Sequence, residues 1–143
     1  MLVDASDVEV GQVENLREGL VVRAVGNDRV LLQASPQGFI GTDIVFYHLR
    51  ADCLGDRYLP NFNGPGFAFV GQVFGNAVVY SRVVDPRLEI ALEALAQERV
   101  PMGSDIHALG QCDPMTFAPQ SMGEAVIATD PAIGTLQAPF RLR

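Results

Sequence analysis

The sequence predicts an α+β fold: an antiparallel, strongly twisted sheet or small open β-barrel of about five or six strands, with one main amphipathic helix at 86–99 across it. Three observations predict it. Two aliphatic runs turn back on themselves at Gly26-Asn27 and again at Gly75-Asn76. The stretch "DPRLEIALEALAQERVP" carries an apolar stripe at helical spacing. Fourteen glycines and nine prolines in 143 residues favour turns over a helical bundle. An all-β barrel with one helix plugging an end is the alternative. The length suits a single domain, 1–143, with a core of its own.

Taken in order, residues 6–20 admit two readings. Ser6 and Glu9 have capping-box spacing, and Val10, Val13 and Leu16 recur every third residue, which suits a short helix ending at Gly19. The run "VEVGQVE" alternates valines and suits a strand. From there the pattern is cleaner. Residues 20–25 and 29–34 are aliphatic arms around a glycine at the first central turn position, the choice of a type II′ hairpin. "SPQG" then breaks the run.

"DIVFYHL" predicts an interior strand, because both of its faces are apolar: Ile44, Phe46 and His48 on one, Val45, Tyr47 and Leu49 on the other. A loop-like stretch leads to the second hairpin, "FAFVGQVF" and "AVVYSRVV". The likeness of the two hairpins is read as shared turn chemistry and not as an internal repeat.

The helix expectation rests on Asp85 as N-cap and Pro86 at the first helical position. Leu88, Ala91, Leu92, Leu95 and Ala96 form the stripe, Glu89, Glu93 and Gln97 face water, and Pro101 ends the element. Beyond Met102 regularity fades, apart from the strand "AVIAT". The extended tail 131–143 carries Ile133, Leu136, Phe140 and Leu142, so it returns to the sheet or packs on a neighbouring subunit.

Charge narrows the function classes. The net charge is −7, and all ten positive residues are scattered arginines. Nucleic acid and anionic membrane surfaces are therefore not expected as partners. The absence of lysine excludes Schiff-base and P-loop chemistry. No apolar run approaches the ~20 residues of a membrane span. The N-terminal "MLVDASDVEVGQ" lacks a basic region, so a cytoplasmic location is expected. There Cys53 and Cys112 are expected as free thiols, with a single bridge left open by sequence.

Chemistry-bearing residues are few. "GPGFAFVG" precedes a strand-like run, whereas phosphate loops precede a helix, so its glycines are read as a turn. Tyr58, Phe62, Phe67, Phe69 and Phe74 crowd one span, and with Phe39, Phe46, Tyr47 and Tyr80 they suit either a ligand pocket or core and interface. His48, Asp52 and Cys53 are the residue types of an activated thiol, and His107 stands near Cys112 and Asp113. The four His and Cys lack the short paired spacing of zinc sites, so no metal or cofactor is expected. Arg57 and Arg82 stand apart from these, and Arg82, mid-strand between Tyr80 and Val84, must meet a carboxylate, a phosphate or carbonyl oxygens if that face is covered.

These observations imply a non-catalytic assembly or binding module, self-associating as a homo-oligomer or joined to a protein partner, of the kind suited to a bacterial or phage accessory or structural protein. The alternative is a small-ligand enzyme or binder with an aromatic-lined pocket carrying His48, Asp52, Arg57 and Arg82.

Overall fold

The structure, a computed structural model of the chain, describes residues 1–60, 68–82, 91–116 and 120–143. The strands in chain order are β1 (Leu2–Val3), β2 (Glu9–Asn15), β3 (Leu20–Val25), β4 (Asp28–Ser35), β5 (Gly38–Phe39), β6 (Ile44–His48) and β7 (Tyr58–Pro60). They continue with β8 (Phe69–Phe74), β9 (Ala77–Ser81), β10 (Ala91–Leu92), β11 (Ala96–Val100), β12 (Gln111–Pro114), β13 (Gln120–Thr129) and β14 (Arg141–Leu142). A 3₁₀ turn at Ile133–Thr135 is the one helical element among the described residues.

The α+β expectation is thereby overturned: the described chain is all-β. In place of the helix at 86–99 stand β10 and β11, while residues 83–90 lie outside the described residues. The physical reason is visible in β11. Ala96, Glu98 and Val100 are buried, Gln97 is half-buried and Arg99 is exposed, a period of two. The middle position of the buried face is a glutamate, which disguises the alternation. Tertiary partners for that carboxylate outweigh the helical propensity of its neighbours.

The chain divides into two compact units, Met1–Gly41 with Asn63–Tyr80 and Ile127–Arg143, and Thr42–Phe62 with Ser81–Val126. In unit 1 the strand order is β14-β1-β2-β3-β4-β8-β9, with β5 also on β4. Neighbours are antiparallel except β4 and β8, which run parallel through Val30↔Phe69 and Leu31↔Val70. The ambiguous segment 6–20 resolves as strand β2, because β3 supplies its partner at Gln12↔Val22 and Val13↔Val21.

Both hairpins form where their turn chemistry places them. β3 meets β4 through Val25↔Asp28, and β8 meets β9 through Phe74↔Ala77. Gly26 and Gly75 have φ of 59° and 62°, while the following asparagines stay at negative φ, as a type II′ turn requires. β3 is covered on both faces. Val21 packs with Val10, Ala34 and Phe140, and Val22 with Leu31 and Ala68.

The tail returns to its own unit. Leu142 pairs with Leu2, and the N–H of Arg143 bonds the Met1 carbonyl at 3.0 Å. Phe140 is buried beside Phe39, ring centroids 5.5 Å apart at 75°. Asp4, itself buried, receives N–H bonds from Ser6, Val8 and Gln137. These bonds, Gln137 foremost, outweigh burial and hold its carboxyl below the ordinary 3.8.

In unit 2 the order is β12-β11-β6-β7-β13, with β10 on β13, all antiparallel. β6 lies inside the sheet, between β11 and β7, but the cover expected on both of its faces is found on one: Val45 and Tyr47 are half-buried and Leu49 is exposed. Ile44, Phe46 and His48 form its buried face. No helix among the described residues is long and apolar enough to cross a membrane.

Candidate functional site

Unit 2 contains a buried charge centre. Glu98 is fully buried on β11, opposite Phe46 of β6 and two residues along from the Ala96↔His48 pair. His48, also buried, donates from Nε2 to Glu98 Oε1 at 2.7 Å. Arg57, one residue before β7, grips the same carboxylate side-on: Nε to Oε1 at 3.0 Å and Nη2 to Oε2 at 2.8 Å. Its guanidinium lies over the Phe46 ring, 4.5 Å from the centroid. The N–H of Gly110 completes the set, donating to Oε2 at 2.7 Å.

Burial alone would raise the Glu98 carboxyl. The bonds from Arg57, Gly110 and His48 and the charge of Arg57 outweigh it, and the net direction is down from the ordinary 4.5. Each oxygen already accepts two donors, so the carboxylate has no lone pair left for a substrate proton. Arg57 also donates to the carbonyls of Ile106 and Ala108, which ties the loop after β11 to the centre. The arrangement is that of a structural clamp. His48 Nδ1 has no hydrogen-bond partner among the described residues.

Beside the clamp, Cys53 and Cys112 form a disulfide with Cα atoms 5.9 Å apart. This corrects the expectation of free thiols, and it removes Cys53 as a nucleophile. A turn closed by Cys53 N–H to the Arg50 carbonyl brings Cys53 back toward the sheet with φ of 59°, an uncommon conformation for a side-chain-bearing residue. Sequence could not supply that separation.

The remaining candidates are spread out. Asp52 is exposed, bonded to Leu54 N–H and to Arg50 at 2.7 Å; Leu54 first and Arg50 second hold its carboxyl low. His107 is exposed in the loop whose Ile106 is buried, and Arg82 is exposed just after β9. Tyr58 belongs to unit 2 and is half-buried; burial, then Asp56 and Glu124, push its phenol up. Phe69 and Phe74 belong to unit 1, where Phe69 stacks on Tyr80 at 5.8 Å and Phe74 is buried. Phe62 and Phe67 lie outside the described residues. Among the described residues no cluster of three or more His, Cys, Asp or Glu is placed to hold a metal ion.

Unit 1 carries a different feature. A groove of about 250 Å³ is lined chiefly by Leu2, Val13, Leu16, Leu20, Phe140 and Leu142. Leu16 and Leu142 are 64% and 51% exposed, far more than buried-core leucines. The groove borders β14, which ends the strand order and has no partner beyond it among the described residues. The sequence pointed to Leu142 through the apolar tail but not to Leu16, whose exposure depends on the turn between β2 and β3.

No protein-family model, no curated protein and no solved structure matches the chain.

Proposed function

We propose that this chain is a non-catalytic assembly or binding module that self-associates through unit 1. The observation that supports this reading is the apolar groove with Leu16 and Leu142 exposed beside β14, an edge with no further strand on it among the described residues. Such a patch gains by leaving water, at roughly 25 cal/mol per Å² of apolar area covered. An edge strand adds backbone donors and acceptors for a second strand. A second copy is the simplest occupant, because a two-fold axis sets the same edge and groove against each other.

The small-ligand reading draws less support. Of its polar groups, His48 and Arg57 are committed to Glu98 and Asp52 to Arg50, while Arg82 stands exposed. The location belongs to the same proposal. A Cys53–Cys112 bridge persists where thiols are not kept reduced, so this reading favours an oxidising compartment over the cytoplasm.

The test is mass by light scattering over a concentration series. The wild-type chain is expected to dimerise. The double variant Leu16→Glu, Leu142→Glu is expected to stay monomeric with an unchanged circular dichroism spectrum. A wild-type mass equal to one chain at every concentration rejects the reading.

A further inference from the structure

The Cys53–Cys112 bridge joins two segments held in very different ways. Cys53 is 3% exposed and follows β6, an interior strand. Cys112 is half-buried on β12, which ends the strand order of unit 2. Among the described residues β12 pairs with β11 alone, from Ala96↔Pro114 to Arg99↔Gln111. Gln111, Asp113 and Pro114 are exposed, so little apolar burial secures the strand, and Pro114 has no N–H to give. The loop before it is tied separately, by Arg57 to the Ile106 and Ala108 carbonyls and by Gly110 to Glu98.

We propose that the bridge is a redox-sensitive clamp on this edge: oxidised, it pins β12 to β11; reduced, β12 leaves while Glu98, Arg57 and His48 remain joined behind it. The reductant is a dithiol. Its thiolate attacks Sγ of Cys112, the half-buried cysteine of the pair, rather than that of buried Cys53. The Sγ–Sγ bond breaks and Cys53 leaves as a thiolate. The reductant's second thiol then displaces Cys112, so two electrons and two protons pass to the cysteines and the dithiol becomes a disulfide. Accessible bridges of this kind are the labile ones.

Hydrogen exchange of the full chain, with and without excess dithiothreitol, tests this, with free thiols counted in parallel. Two thiols per chain should appear. Exchange at the amides of Gln111, Cys112, Asp113 and Met115 should then speed up at least tenfold, while those of Gly110, β3 and β4 keep their rates. The double variant Cys53→Ser, Cys112→Ser should show the same release without reductant. The proposal fails if both thiols appear and exchange at Gln111, Cys112, Asp113 and Met115 is unchanged. It fails equally if exchange rises throughout the chain, which would make the bridge a requirement of the whole fold. A bridge that resists dithiothreitol under native conditions also overturns it, because Cys112 would then not be open to attack.

Discussion

Arg57 and Glu98, forty-one residues apart in sequence, meet side-on in two bonds of 3.0 and 2.8 Å, with the carboxylate wholly shut off from solvent. Bidentate pairing of this geometry is a task for a guanidinium and not for an ammonium. Removing one partner leaves the other charged and buried. Glu98→Ala is therefore expected to cost about 3–5 kcal/mol. Arg57→Lys should also destabilise, since lysine cannot reach both oxygens and both loop carbonyls. Chemical denaturation of the two variants checks this, and a loss under 1 kcal/mol in both would contradict the clamp.

Acid should act through the same carboxylate. Glu98 and Asp4 both have folded values held below their ordinary 4.5 and 3.8. A depressed carboxyl contributes stability that is present above its unfolded value and is lost as pH falls through the folded one. The melting temperature should thus hold above pH 5 and decline below about 4.5, and Glu98→Gln should flatten part of that decline. A parallel fall in wild type and variant would remove Glu98 from the account.

The tail is expected to behave as core. Phe140→Ala should destabilise unit 1 by about 3 kcal/mol, the usual cost of emptying a buried phenylalanine site. Deleting residues 131–143 takes Ile133 and Phe140 out of their buried positions and strips β1 of its outer partner. That truncation should lower the melting temperature of a monomeric preparation. An unchanged melt would place the tail outside the fold.

Two glycines separate conformational strain from crowding. Gly19 has φ of 70°, and a Cβ there would run into the Ala34 carbonyl oxygen. Gly26 has φ of 59° with open space where a Cβ would stand. Gly26→Ala should cost about 1 kcal/mol, the left-handed penalty alone. Gly19→Ala should cost clearly more, because that carbonyl belongs to a core strand and cannot withdraw. Equal losses on denaturation would contradict the contact.

What could be read from the residues follows from how local each feature is. Two turns announced by Gly-Asn, and the strand around Phe46, need only their neighbours, and all three stand where the pattern puts them. The helix expectation failed because its stripe ignored what lay across from Glu98. The residues alone place His48 and Arg57 in one candidate pocket with Asp52 and Arg82; that the first two share the Glu98 carboxylate shows only in the folded contacts. A glutamate between Ala96 and Val100, with an unpaired histidine and arginine upstream, is the signal that could have found the centre. The bridge and the groove depend on separations that no local spacing encodes.

The β1–β14 pairing sets a condition on the order of folding. Leu2 and Leu142 stand far apart in sequence, so their register cannot form until a very long loop has closed. Contacts of that separation are the slow ones to make. The outer edge of unit 1, with the Phe140 site beside it, should therefore be among the last parts of the sheet to be completed.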